Sequence, residues 1–199
     1  MKLYYVPKTR ATRPRWVLEE LGLSYELARL DPKAGETRTP EHLRRHPLGH
    51  VPVLEDGGVR IFESGAICLW LADRDPERRL LDVPGTPGRA QALQWIFYGV
   101  TELETPLGIA GAELRKGAAG DAALVAAMKQ RLAAALGPLE AELGGRSWIA
   151  GDRFTVADVV LASLLASAQR NGLLPPSPAL EAYLSRATSR PAASRALAD

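Results

Sequence analysis

The chain is predicted to fold as a small α/β domain followed by an all-helical domain. Strand and helix signals alternate through the first 73 residues, a proline- and glycine-rich stretch follows, and beyond it every long pattern is helical. Residues 1–77 are assigned to the first domain, 78–85 to the linker and 86–199 to the second.

The order of the first domain is β-α-β-α-β-β-α. "KLYYV" is a short strand. "RPRWVLEELG" is helical, with Val17, Leu18 and Leu21 on one face and Gly22 as its stop. "SYELARL" reads as a second strand and "PEHLRRH" as a short helix or turn opened by a proline. "VPVLEDGGVRIFES" is two apolar runs joined by Asp56-Gly57-Gly58, the pattern of an antiparallel hairpin. "SGAICLWLADR" is helical and apolar almost all round, which predicts burial on more than one side. Past "DPERRLLDVPGTPG", residues 75–88, come one long helix bent at Pro106, a second over "DAALVAAMKQRLAAALGPLEAELGG", a third over "TVADVVLASLLASAQRNG", and two short ones.

With 199 residues, 46% of them hydrophobic and 24% charged, the chain buries a sufficient core without staples. The net charge of +2 is spread along the chain, unlike the clustered footprint of a nucleic-acid binder. No run reaches the roughly 18 apolar residues of a membrane span, and the N-terminus lacks the apolar core of a signal peptide. A cytoplasmic protein is expected. The one cysteine, Cys68, excludes a disulfide framework and a CxxC motif; its apolar surroundings make it a core residue. His42, His46 and His50 have the spacing of metal ligands on one helix face, but Pro47 and Gly49 break that helix, so no metal site is expected.

Four stretches bear on chemistry. "YVPKTRATRPRW", residues 5–16, is a basic turn between strand and helix that contains Thr9, Arg10 and Thr12; it looks like an anion site without a nucleophile. Val51-Pro52 either merely begins a strand or, with a cis bond, presents the Val51 N–H and C=O to a peptide-like ligand, with His50 beside it. Ser64 is read as the N-cap of a helix; that helix start also suits a carboxylate, and Glu63 suits an ammonium group. "FTVAD" is a capping box of Thr155 and Asp158, stapled by Phe154 and Val159, and is read as structural.

"HPLGHVPVLEDGG", "IFESGAICLWLAD" and "WIAGDRFTVADVVLA", in this order, resemble the cytosolic glutathione S-transferase family, in its bacterial type, over nearly the whole chain. The resemblance implies a thioredoxin-like N-terminal domain, an all-helical C-terminal domain, glutathione as co-substrate and a homodimer with the third helix at or near its interface. It matches Val51-Pro52 to the family's cis-proline, which pairs with the cysteinyl group, and Glu63-Ser64 to the pair that holds the γ-glutamyl end. His50 falls near the glycyl carboxylate, where Arg38 or Lys33 adds charge. The departure is at the catalytic position, where the family carries tyrosine, serine or cysteine. Thr9 is assigned as hydroxyl donor and Arg10 as electrostatic stabiliser of the thiolate. Thr12 is taken as the helix cap, and Tyr4 and Tyr5 as packing residues. Trp95, Tyr98 and Glu102 are the candidates that face a small hydrophobic electrophile. Two other functions are carried as alternatives: a glutathione-dependent disulfide or peroxide reductase, and a non-enzymatic interaction module.

Overall fold

The strand β1 (Lys2–Tyr5) is buried at Leu3, Tyr4 and Tyr5 because it runs inside a sheet rather than along an edge. In the computed structural model, which describes residues 1–198, the sheet has the order β2-β1-β3-β4. β2 (Glu26–Arg29) pairs with β1 in parallel, and β3 (Val53–Asp56) pairs with it antiparallel. β4 (Val59–Phe62) closes a hairpin with β3 through Gly57 and Gly58, whose φ of 55° and 88° are the two positive angles this tight turn demands.

A parallel pair needs a crossover, and α1 (Thr12–Leu21) provides it. It buries Trp16, Val17, Leu18 and Leu21 and stops at Gly22, which takes the left-handed conformation at φ 65°. α2 (Pro40–Arg45) starts with proline in its first turn, and the Thr39 hydroxyl accepts from the His42 N–H at 3.2 Å. α3 (Ser64–Asp73) buries Ile67, Cys68, Leu71 and Ala72. Complete burial pushes the Cys68 thiol up to about 12, against a small opposing pull from the Arg13 charge. Only about one molecule in 10⁴ would carry the thiolate at mildly alkaline pH, so Cys68 is expected to resist a thiol-specific disulfide reagent in native buffer and to react stoichiometrically in denaturant. Fast labelling of the native protein would contradict this burial.

The second unit spans Pro84–Thr188. It contains α4 (Pro87–Tyr98), α5 (Glu104–Arg115), α6 (Ala122–Leu143), α7 (Val156–Arg170) and α8 (Pro178–Thr188). Where a bend at Pro106 was expected, the structure has a π-helical turn over Gly99–Leu103, and Pro106 itself lies in the first turn of α5. Proline offers no N–H to the carbonyl four residues earlier, and a widened turn is one way the backbone accommodates this. Gly99 also lets α4 approach α7, since a Cβ there would stand 2.8 Å from Leu161 Cδ2.

The helix α9 (Pro191–Leu197) departs from the sequence reading, which placed it in the helical domain. By contacts the segment from Ser189 groups with Met1–Val83. Its alanines Ala192, Ala193 and Ala196 are buried, and α9 packs on α1. Arg190 Nε and Nη2 donate to the two carboxylate oxygens of Glu20 at 2.7 and 2.6 Å, and Arg195 Nε donates to Glu19 at 2.6 Å. A short alanine-rich helix fits either domain by pattern; its arginines and their partners on α1 decide. No described helix is long and apolar enough to cross a membrane.

Candidate active site

Three candidate stretches of the first unit meet at one end of its sheet, and the register shows why. Tyr4 lies opposite Val53, and Val53 opposite Phe62, so one row runs across β1, β3 and β4. The next residues beyond that row are Tyr5, Pro52 and Glu63, followed by Val6, Val51 and Ser64. The turn into α1, the Val51-Pro52 pair and the start of α3 therefore share one edge.

In the first of these, Lys8 has φ 58° and, like Arg10, is exposed. The Thr9 hydroxyl donates to the Val6 carbonyl at 2.7 Å and accepts from the Ala11 N–H at 3.3 Å. Thr9 thus builds the turn that starts α1. Thr12, expected as the cap, lies inside the helix, and its hydroxyl donates to the Thr9 carbonyl at 3.0 Å. The chain is already helical at Ala11, which leaves no extended residue for Thr12 to cap from.

Neither strand tyrosine has a free hydroxyl. Tyr4 donates to Glu55 at 2.9 Å beneath the Arg45 guanidinium, which lies 4.4 Å from the ring centre. Burial, reinforced by the Glu55 bond, pushes its phenol above the usual value. Tyr5 accepts from Arg15 Nη1 at 3.2 Å.

The Val51-Pro52 bond is cis. Among the described residues, no backbone hydrogen bond inside the protein engages Val51. The preceding loop is tied four times to the segment before it, once by the Gly49 N–H, which donates to the His46 carbonyl at 2.8 Å, and three times through side chains. Arg38 Nη1 donates to the Leu48 carbonyl at 2.9 Å, the Leu48 N–H donates to His46 Nδ1 at 3.1 Å, and His42 Nε2 meets the His50 carbonyl at 2.9 Å. Arg38 is thereby a loop anchor. His50 is exposed, and Lys33, also exposed, gives its backbone N–H to Asp31. His46 is buried, and this burial, with the neighbouring His50, holds its imidazole below the ordinary value.

Glu63 is exposed and strained, with φ 72° in a non-glycine residue. It, and not Ser64, is the cap residue of α3, and it makes no side-chain capping bond. Ser64 is the first helical residue. It is buried, and its hydroxyl accepts from Arg13 Nη1 at 3.1 Å. Arg13, only 3% exposed, is the residue the sequence reading passed over. The signal was present: Arg13 precedes Trp16 and Val17 by three and four, which places it on the buried face of α1.

The three candidates of the helical unit differ in role. Trp95 is buried edge-on against Tyr98, with ring centres 5.3 Å apart, and the Tyr98 hydroxyl donates to the Ala135 carbonyl of α6 at 2.9 Å. Glu102, on the π turn, is half-exposed and pairs with Arg131 at 3.5 Å. Of the three, Glu102 is the polar group most open to solvent.

Models of the glutathione S-transferase N-terminal and C-terminal domains match residues 1–73 and 91–191. This chain belongs to the glutathione S-transferase family. It is 31% identical to glutathione S-transferase 3 of Zea mays over all of its own length and 93% of that protein. Its fold superimposes with a TM-score of 0.90, at 28% identity, on a Phanerochaete chrysosporium glutathione transferase in complex with oxidised glutathione, covering 98% of this chain and 93% of the other. A sphingomonad glutathione S-transferase complexed with glutathione matches at 0.87 and 29% identity over 100% and 98% of the two chains. The likeness extends to plant and fungal proteins and is not confined to a bacterial type. The predicted fold, a thioredoxin-like domain with a helical one, is borne out, and the family assigns the chain transferase chemistry with glutathione as co-substrate.

Proposed function

We propose that this transferase binds glutathione along the shared sheet edge and activates its thiol with Thr9, Arg10 and the start of α1. Val51 pairs with the cysteinyl backbone, Glu63 and Ser64 hold the γ-glutamyl end, and His50 lies near the glycyl carboxylate. The observation that carries this reading is the common row that brings three distant stretches to one edge, with the Val51 backbone unpaired among the described residues and Ser64 held by a buried arginine. The thiolate then attacks a small hydrophobic electrophile, with Trp95, Tyr98 and Glu102 as candidate contacts. The protein works in the cytoplasm as a homodimer, and the exposed Leu48 and Phe62 support a partner surface on the first unit.

Magnitudes decide how many groups the thiolate needs. A free thiol titrates near about 8.5, and lowering this by about two units takes about 2.7 kcal/mol. A helix N-terminus provides about 0.3–1 kcal/mol and a hydrogen bond to a charged group about 1.5–3. Neither suffices comfortably alone; the helix start, the Thr9 hydroxyl and the Arg10 guanidinium together do. To donate, Thr9 must turn its hydrogen from the Val6 carbonyl to the sulfur, exchanging a neutral bond for a stronger charge-assisted one. Reduction through a mixed disulfide on the enzyme is disfavoured, since Cys68 is fully buried.

The wild-type protein is expected to be retained on immobilised glutathione and to gain thermal stability from it; failure of both would end this reading. Thr9→Ala and Arg10→Ala are each expected to lower kcat/KM about tenfold and to raise the pKa of the bound thiol by about one unit, followed through thiolate absorbance. Unchanged values would remove the two residues from the mechanism while leaving the binding site intact.

A further inference from the structure

His42 is buried, on α2, and has no part in the chemistry described so far. Its Nε2 lies 2.9 Å from the His50 carbonyl, and its Nδ1 is buried with no hydrogen-bond partner among the described residues. A carbonyl oxygen can only accept, so the ring hydrogen at this bond must sit on Nε2. The ring is buried and the residue's backbone is held on both sides. The Tyr4 ring stands 6.1 Å from it, the His42 N–H is fixed by the Thr39 hydroxyl, and its carbonyl accepts from the His46 N–H at 2.9 Å.

What this donor holds is the peptide that enters Val51. The His50 carbonyl belongs to the His50–Val51 peptide plane, so fixing that oxygen fixes the direction of the Val51 N–H in the same plane. Of the other three ties on the loop, two end at Leu48 and one at the Gly49 N–H, so none of them holds the His50–Val51 peptide, and the Arg38 tie comes from an exposed side chain. The His42 bond is the one that holds the peptide entering Val51, and it does so from a buried side chain.

We infer that His42 is a positioning residue for glutathione: its Nε2–H holds the His50 carbonyl and so orients the Val51 backbone that pairs with the cysteinyl group. The inference rests on the glutathione site proposed above. It predicts a loss of glutathione affinity without a matching loss of turnover, because the thiolate contacts lie on the turn into α1.

The test compares His42→Phe, which fills the ring volume without a donor, with His42→Gln, whose amide N–H reaches the position of Nε2. Glutathione Kd by calorimetry, KM for glutathione, kcat at saturating glutathione, and the melting temperature are measured for each. His42→Phe is expected to raise Kd and KM about tenfold, the scale of one lost hydrogen bond, with kcat changed less than about twofold. His42→Gln is expected to recover most of the affinity. If His42→Phe does not fold, His42→Met removes the donor with a flexible side chain and is judged the same way. Equal affinity for the donor-less variant and wild type, or equal loss in the glutamine and donor-less variants, overturns the inference. If wild-type protein itself does not bind glutathione, the proposed site fails instead, and the two failures are distinct.

Discussion

Replacing Asp158 with alanine is expected to lower the thermal midpoint by about 10 °C or more, or to leave the protein insoluble. The carboxylate is fully buried at the start of α7. Its Oδ1 accepts from the Ile149 N–H at 2.9 Å and the Tyr183 hydroxyl at 2.8 Å. Its Oδ2 accepts from the Thr155 N–H at 2.8 Å and the Thr155 hydroxyl at 3.0 Å. Alanine removes every acceptor at once. The two hydroxyls can rotate toward other partners, but the two backbone N–H groups cannot, and each costs about 1–3 kcal/mol when buried unpaired. The Thr155 N–H bond is itself the Asp158 half of the helix cap, so the total is about 2–6 kcal/mol, about 4 at its centre. At about 2–4 °C per kcal/mol for a chain of this size, that gives the stated shift.

Asp158→Asn separates the acceptor geometry from the charge. Burial pushes the Asp158 carboxyl up despite its four donors, so the ionised form is held at some cost. Asparagine relieves that cost and keeps one oxygen, yet its amide N–H₂ must face one of the two backbone donors. The expected loss is about half that of alanine. Circular-dichroism melts of the three proteins decide the matter, and an alanine variant that melts within about 3 °C of wild type would show that the box is not a keystone of the helical unit.

How much of this was legible beforehand depends on the range of the interaction. The capping box and the Asp56-Gly57-Gly58 hairpin are local, so residue type and spacing sufficed to place them. The start of α1 is also local, but two threonines three apart compete for it. Thr9 wins because the chain is already helical at Ala11, a backbone fact that composition does not carry. Arg13 and Ser64 are 51 residues apart in sequence, so their bond awaited the fold, although the helical period already put Arg13 on a buried face. The histidine series looked like three of a kind. The structure gives each a different task, with His42 on a carbonyl, His46 accepting from an N–H, and His50 exposed, because Pro47 and Gly49 send the chain off the helix between them. The docking of α9 on α1 was beyond reach, since paired arginine and glutamate side chains 170 and 176 positions apart leave no periodic signal.

Gly49→Ala is the second substitution with a large expected effect, and Gly22→Ala shows how much of it comes from close packing. Both glycines have left-handed backbones, with φ of 61° and 65°, where a Cβ costs about 1–2 kcal/mol. At Gly22 a Cβ would meet nothing within 4 Å, so this backbone term is the whole loss. At Gly49 the Cβ would stand 2.3 Å from the Thr37 carbonyl oxygen, with Leu43 Cδ2 at 3.2 Å and Arg38 Cδ at 3.4 Å. The two side chains can yield, but the carbonyl is backbone at the buried Thr37, so the 46–50 loop must move away. Overpacking of this kind adds about 1–3 kcal/mol. Urea unfolding is therefore expected to show a loss of about 3–4 kcal/mol for Gly49→Ala against about 1–2 for Gly22→Ala. The displacement should also register at Val51, two residues on, as weakened glutathione binding that Gly22→Ala does not share. Equal losses of stability in the two variants would mean that the loop has room to spare beside Thr37, and that the histidine and arginine ties, rather than contact between backbones, set its position.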